Sequence, residues 1–447
     1  MSDLDSIAAH LQIFNIEAKF LDLPGLFAED SHRQTVFAYP ESAIVRTIVA
    51  DFAGVTSLIA VPWNCLLDVT RLNQSAKTRL DIAESGEPVE LPLGRFYKLP
   101  LVLDTHLAAQ QVLHFPCASG AKLLELGLDA LYTLQESYTV QDIATALEDV
   151  PLIVQDPNHR QLSRQLRETL LLDTRLPAMP EMGARILEVC ASGNANATTL
   201  ANVLEADPSL CAQIIHTAQS AFYAYRGKIN SIRDAIARVL GFDTVANMAL
   251  GIAIGKSFSI PFDGPLGLRQ FWRQAIYSAA LCERLASLMP RTLRPDAGDA
   301  YLAGLLQNIG YLLLGHLHDD RFRELNSVLR FNPGANIELL EQLVLGLSHC
   351  EIGATLLRHW QMPEEVVVAC LHHHNPNYHG EHACYAHLVL LANYLLASTV
   401  TPSISFHAIP ETSLQATGLD VAQLQPVLPP LIAACLELDT LSELTGD

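Results

Sequence analysis

Two rhythms of apolar residues divide this 447-residue chain. Over residues 1–150 the apolar positions come in short runs rich in β-branched side chains. Residues 44–49 and 55–61 are two such runs with 51–54 between them, a pattern that predicts strand, turn and strand. Residues 99–103 and 111–115 predict further strands on either side of Asp104-Thr105-His106. Helical patterns over 2–14 and 66–73 punctuate them, so the alternation predicts a mixed α/β domain.

From Pro177 the period changes. Leu302, Leu305, Leu306, Ile309 and Leu313 recur at offsets of three, four, seven and eleven, which puts one apolar face on a helix. Ile232, Ile236, Val239 and Leu240 do the same after Ser231, a predicted N-cap, and Gly241 follows as a stop. Pro208 after Asp207, Pro363 before Glu364-Glu365 and Pro376 after a run of histidines mark other helix ends. Between the two halves, the Pro-interrupted stretch from Asp149-Val150-Pro151 to Asp156-Pro157-Asn158 reads as the start of a linker over 151–172. The tail beyond Ser398, with Pro402, Pro410 and Pro429-Pro430, predicts two short helices, an extension over 396–447 packed back on the helical domain.

Composition narrows the class. Half of the residues are hydrophobic and 17% are charged, as in a globular chain of two to three domains. The net charge of −20 argues against nucleic acid and anionic membranes as partners, because such binding rests on basic residues displacing counterions. Arg226-Gly227-Lys228 is the best local basic patch and reads as a solvated turn. The nine cysteines, Cys65, Cys117, Cys190 and Cys435 among them, form no C-x-x-C and fit reduced thiols in a cytoplasmic protein. The acidic start Met1-Ser2-Asp3-Leu4-Asp5 is unlike a secretory signal, and no apolar run approaches the ~20 residues of a membrane helix.

Several motifs occur in a fixed order in the helical half. Leu176-Pro177-Ala178-Met179-Pro180 is followed by Ala206-Asp207-Pro208-Ser209-Leu210, then Ile229-Asn230-Ser231-Ile232 and Ala235-Ile236-Ala237-Arg238-Val239-Leu240-Gly241. Next come Phe271-Trp272-Arg273-Gln274 and Ala303-Gly304-Leu305-Leu306-Gln307-Asn308-Ile309-Gly310. His349-Cys350-Glu351-Ile352-Gly353-Ala354, Trp360-Gln361-Met362-Pro363-Glu364, His372-His373 and Leu388-Val389-Leu390-Leu391-Ala392-Asn393 complete the series. Over residues 173–395 this resembles the HDOD domains, output modules of bacterial signalling proteins related to the HD phosphohydrolases. The resemblance implies an all-α domain.

It also implies that a metal site has been dismantled. HD enzymes place a histidine where Gln274 stands, a His-Asp pair at Gln307-Asn308 and an aspartate at Asn393; His349 and the pair His372/His373 survive. A neutral amide is a poor substitute for a carboxylate when a hard dication must be held and a water polarised. The degenerate pocket is therefore expected at Gln274, Gln307, Asn308, His349, His372, His373 and Asn393, with no catalytic residue, no metal and no cofactor. Amides keep the shape and hydrogen bonding of the lost ligands without their charge, so such a cavity can collapse into a neutral polar core or stay open for a ligand.

A second set of motifs lies in residues 1–135: Val45-Arg46-Thr47-Ile48-Val49, Ala60-Val61-Pro62, Leu67-Asp68, Leu91-Pro92-Leu93-Gly94 and Leu99-Pro100-Leu101-Val102-Leu103-Asp104. They resemble bacterial prolyl-tRNA editing (YbaK-like) domains, which implies domain 1–150 of that kind. In that family a lysine stands where this chain has Arg46, the residue expected to mark a degenerate deacylase site. Arg keeps the charge in a different geometry, and Val89-Glu90-Leu91 replaces the family's glycine loop.

Residue chemistry alone adds little. His372-His373-His374 could hold a d-block ion such as zinc more readily than magnesium or manganese. Successive helical side chains diverge by about 100°, however, so three in a row cannot face one ion from one helix. The alternative is a set of helix-end imidazoles near exposed carbonyls. Gly251-Ile252-Ala253-Ile254-Gly255-Lys256-Ser257 lacks the P-loop spacing and reads as helix packing. The reading is a non-enzymatic signalling protein whose HDOD domain binds a partner protein or a small regulatory ligand. Its rivals are an editing hydrolase acting on tRNA through the N-terminal domain, and nucleotide binding without hydrolysis in the degenerate pocket.

Overall fold

The computed structural model describes residues 11–16, 19–22, 41–52, 55–69, 71–72, 99–116, 122–135, 137–170, 176–192, 195–219, 223, 225, 227–261, 263–332, 335–400, 409–427 and 429. The expected motifs at 89–94 and most of the predicted helix 2–14 lie outside them. The chain forms two compact units, one of residues 1–162 with 323–346, the other of 163–322 with 347–447.

The first unit carries strands β1 Lys19–Asp22, β2 Val45–Phe52, β3 Val55–Pro62, β4 Cys65–Leu67, β5 Leu101–Asp104, β6 Val112–Pro116, β7 Lys122–Gly127, β8 Tyr138–Gln141 and β9 Ala144–Ala146. The β-branched runs pair as an antiparallel hairpin, from Val45 opposite Pro62 to Phe52 opposite Val55. One sheet runs β2-β3-β5-β8, with β5 parallel to both of its neighbours. Every residue of β5 is buried, which explains why it reads as unbroken Leu-Val-Leu. A second, antiparallel sheet runs β1-β7-β6, and β4 pairs with β9. Leu58, Leu101 and Leu103 of the first sheet share a core with Phe115, Leu124 and Leu126 of the second.

Asp104 closes this core without an unanswered charge. Although fully buried, its carboxylate accepts from the His106 amide (2.8 Å) and ring Nδ1 (2.7 Å) and from the amides of Ile143 (3.0 Å) and Ala144 (2.9 Å). Four donors replace the water that burial removed. The helix expected over 66–73 begins instead as the short strand β4, because Cys65 to Leu67 find partners in Ala146 to Ala144, far off in sequence. The expected linker 151–172 is helical as far as it is described, over Val150–Gln155 and Pro157–Leu170. Pro151 and Pro157 stand in first turns, where a missing N–H costs nothing, so they open helices rather than interrupt a loop.

The second unit is helical. Ser231 caps Ile232–Ala235 by accepting from the Asp234 amide, the helix widens over Ile236–Leu240, and Gly241 ends it at φ 82°. The P-loop-like segment lies mostly in the buried helix Phe242–Gly255. Six helices carry or adjoin the residues expected in the degenerate site: α1 Leu268–Leu288, α2 Ala297–Leu306, α3 Ile309–Leu317, α4 His349–His359, α5 Glu364–His372 and α6 Ala383–Val400. The single helix expected through 302–313 is α2 and α3, broken at Gln307-Asn308, where Asn308 leaves helical geometry at φ −103° and ψ 13°. Residues 300–306 of α2 and 309–315 of α3 are buried on all sides rather than along one stripe. The tail helices Glu411–Thr417 and Val421–Leu424 follow, and Ile409, Leu419, Leu424 and Val427 share a core with Leu388, Leu391 and Leu395 of α6. No helix among the described residues is long and apolar enough to cross a membrane.

Candidate functional site

Two polar clusters meet inside the helical unit. The first is a reciprocal amide pair. Asn393 Nδ2 donates to Gln307 Oε1 at 2.7 Å, and Gln307 Nε2 donates back to Asn393 Oδ1 at 3.2 Å. Gln307, fully buried, also donates to Ser278 Oγ at 2.7 Å and to the Gly304 carbonyl at 3.3 Å. Gln307 sits at the C-terminal end of α2, Asn393 on α6 and Ser278 on α1, so three helices are tied by neutral groups. A buried carboxylate at Gln307 or Asn393 would need a compensating cation; the amides satisfy each other instead.

The second cluster is built from imidazoles and a thiol. Ser348 caps α4 by accepting from the Glu351 amide (3.2 Å), and Glu351 Oε2 accepts from the Ser348 amide (3.0 Å). Arg167 grips the same carboxylate from both of its terminal nitrogens, at 2.9 and 3.2 Å. This reciprocal box fixes the first turn of α4, and so fixes His349 and Cys350. His349 Nε2 lies 3.4 Å from His373 Nε2 and 3.5 Å from Cys350 Sγ. Tyr311, the residue after Gly310, stacks on the His349 ring with centroids 4.3 Å apart. The His373 and His374 rings lie 4.2 Å apart, and His374 lies 5.2 Å from His349.

Cys370 joins the two clusters. Burial pushes its thiol up to about 12, so it keeps its proton and donates to the Gln307 carbonyl at 3.3 Å. Its own carbonyl accepts from His373 Nδ1 at 2.9 Å, which leaves the His373 Nε2 lone pair facing His349. Burial, with His374 and His349 beside it, holds His373 well below the ordinary imidazole range, and the ring is neutral.

Of the expected pocket residues, the structure joins Gln307 to Asn393 and His349 to His373. Gln274 lies half-buried one turn before Ser278 on the same face of α1, and Asn308 is half-buried at the N-terminus of α3, where its side chain makes no capping bond. His372 turns away to stack on Tyr378, with centroids 3.8 Å apart. His374, the last of the run His372-His373-His374 weighed above for a d-block ion, takes part, and so does Cys350, which nothing in the sequence singled out. The objection to consecutive histidines assumed one helix, but α5 ends at His372. His373 is the C-cap and His374 lies beyond it, so the backbone is free to turn both inward. The donor set, imidazole and thiol beside amides, does not fit a pair of hard hydrolytic cations.

Arg46 belongs to the other unit and is tied to structure there. Its Nη2 donates to Asn332 Oδ1 at 2.8 Å and to the Cys65 carbonyl at 3.1 Å, and its Nη1 to the Phe331 carbonyl at 3.4 Å. Asn332, buried, in turn holds β4 by accepting from the Leu67 amide (2.8 Å) and donating to the Leu67 carbonyl (3.2 Å).

Residues 176–376 match the family model of the HDOD domain, and this segment is an HDOD domain. The chain is similar over 96% of its length, at 27% identity and a TM-score of 0.72, to the crystal structure of a candidate signal transduction protein from Marinobacter aquaeolei VT8, itself covered to 96%. A candidate phosphohydrolase from Shewanella amazonensis SB2B aligns over 61% of this chain and 96% of its own, at 23% identity and a TM-score of 0.49. An uncharacterized protein of Treponema pallidum is 23% identical over 206 residues, 45% of this chain and 38% of that relative's length.

Proposed function

We propose that this chain is a regulatory signalling protein without hydrolytic activity, in which the HDOD domain recognises a partner protein or a small regulatory ligand. The observation that carries this reading is the reciprocal bonding of Gln307 and Asn393 across α2 and α6. Where an HD enzyme would bind cations, this chain has a closed neutral network with Ser278. The signalling name of the Marinobacter protein, similar along almost the whole chain, supports the same reading. Within it, the YbaK-like N-terminal unit acts as a sensor or docking module rather than a deacylase, because the Arg46 guanidinium is engaged with Asn332 and two backbone carbonyls.

Hydrolysis is the test. The purified full chain, supplied with manganese or ferrous iron, is expected to leave cyclic dinucleotides and aryl phosphodiesters intact. Saturable turnover that His349→Ala abolishes would overturn the reading.

A further inference from the structure

We propose that His349, Cys350, His373 and His374 form a closed tetrahedral site for a single d-block cation of the zinc type. One candidate ligand atom from each residue can be chosen so that all four lie within 4.8 Å of one another. Zinc bonds of ~2.0–2.1 Å to nitrogen and ~2.3 Å to sulfur give tetrahedral edges of about 3.4 Å between nitrogens and about 3.6 Å between nitrogen and sulfur. The His349–His373 and His349–Cys350 separations, 3.4 and 3.5 Å, already match those edges.

The surroundings suit a ligand set. His373 Nδ1 is bonded to the Cys370 carbonyl, which fixes the tautomer that offers Nε2 and orients the ring. His349 is held by the Tyr311 ring on one face and by the capped first turn of α4 behind it. Cys350 stands in that first turn beside His349, with its Sγ 3.5 Å from the His349 Nε2. Binding would release the thiol proton, and the thiolate would cancel half of the cation's charge. Imidazole and thiolate donors select zinc over magnesium, calcium or manganese.

Such a site differs from a hydrolytic centre in kind. It uses Cys350 and His374 in place of carboxylates, and its four protein ligands leave no position for an activated water. The cation would clamp the start of α4 to the end of α5 while the amide pair stays closed. The inference therefore goes beyond the proposed function without depending on it.

Elemental analysis and cobalt spectroscopy of the full chain test the site. After removal of metal by a chelator and dialysis against zinc, about one zinc per chain is expected. Cobalt in its place is expected to give the intense visible bands of four-coordination and a thiolate-to-cobalt charge-transfer band in the near ultraviolet. Cys350→Ser should remove the charge-transfer band and weaken binding on the order of tenfold or more. His374→Ala, at the half-exposed rim, should weaken binding similarly and gives a second variant should Cys350→Ser fail to fold. His372→Ala should change neither signal. No zinc and no tetrahedral cobalt spectrum, or a charge-transfer band that survives Cys350→Ser, would overturn the site. Bound zinc without phosphodiester turnover leaves both proposals standing. Turnover sinks only the functional reading, and absence of metal without turnover sinks only the site.

Discussion

Glu283 on α1 shows how burial acts on a single carboxyl. Burial, with Asp243 nearby, raises it above the ordinary range, against the pull of the Thr244 hydroxyl that donates to it at 2.7 Å. The buried phenols of Tyr223 and Tyr301 face the same carboxyl. An acid held more readily protonated in the folded state loses stability as pH rises from the unfolded value, about 4.3, through the folded one. Glu283→Gln keeps an acceptor for Thr244 and removes the charge. It should melt above the wild type at pH 7–8, with the gap closing as pH falls to about 4. A gap that is constant with pH would mean the carboxyl is not strained by burial. Among single residues, Gln307 and Asn393 could be singled out from the sequence by the apolar frame around each, and the structure bonds them to each other. The convergence of His373 with His374 could not be, since it depends on where α5 ends, and Cys350 joins them from α4, a separate helix.

Among the elements, α3 and α4 meet backbone to backbone at Gly310. A Cβ built there would overlap the His349 carbonyl oxygen and lie 2.9 Å from the Gly353 amide nitrogen, both of them backbone atoms that no side-chain rotation can clear. Gly304 lets α2 approach α1 in the same way, its Cβ position lying 2.7 Å from the Ser278 carbonyl. Gly310→Ala should destabilise by about 1–3 kcal/mol, or more if the backbone cannot shift. Its calorimetric melt should fall by several degrees; an unchanged melt would contradict the close approach. The hairpin of β2 and β3 could be read in advance because its pairing is local and its residues are β-branched. Strand β4 could not, because three residues became a strand only by meeting β9. The break between α2 and α3 was hidden for a related reason. A helical period through 302–313 continues across it, while the backbone departs from helical geometry at Asn308.

At the scale of the whole molecule, the two units are not consecutive stretches of the chain. The first unit takes in residues 323–346, which follow more than half of the other unit in sequence. Asn332 in that segment anchors both Leu67 and Arg46, so a fragment of residues 1–150 would lose the partner of two buried backbone groups and a guanidinium. The fragment alone should show no cooperative unfolding transition, and a sharp one by circular dichroism would contradict this partition. Composition and period separated an α/β part from an all-helical part, but a pattern read along the chain cannot report a segment that returns to an earlier core. The functional account stands on the buried amide pair of the helical unit, where Gln307 and Asn393 close on each other. Manganese titration of the full chain, with paramagnetic resonance and cyclic dinucleotide hydrolysis recorded on the same samples, puts that closure to the test. The expected result is no coupled pair of manganese ions and no hydrolysis above a protein-free blank; two coupled ions per chain with saturable turnover would contradict it.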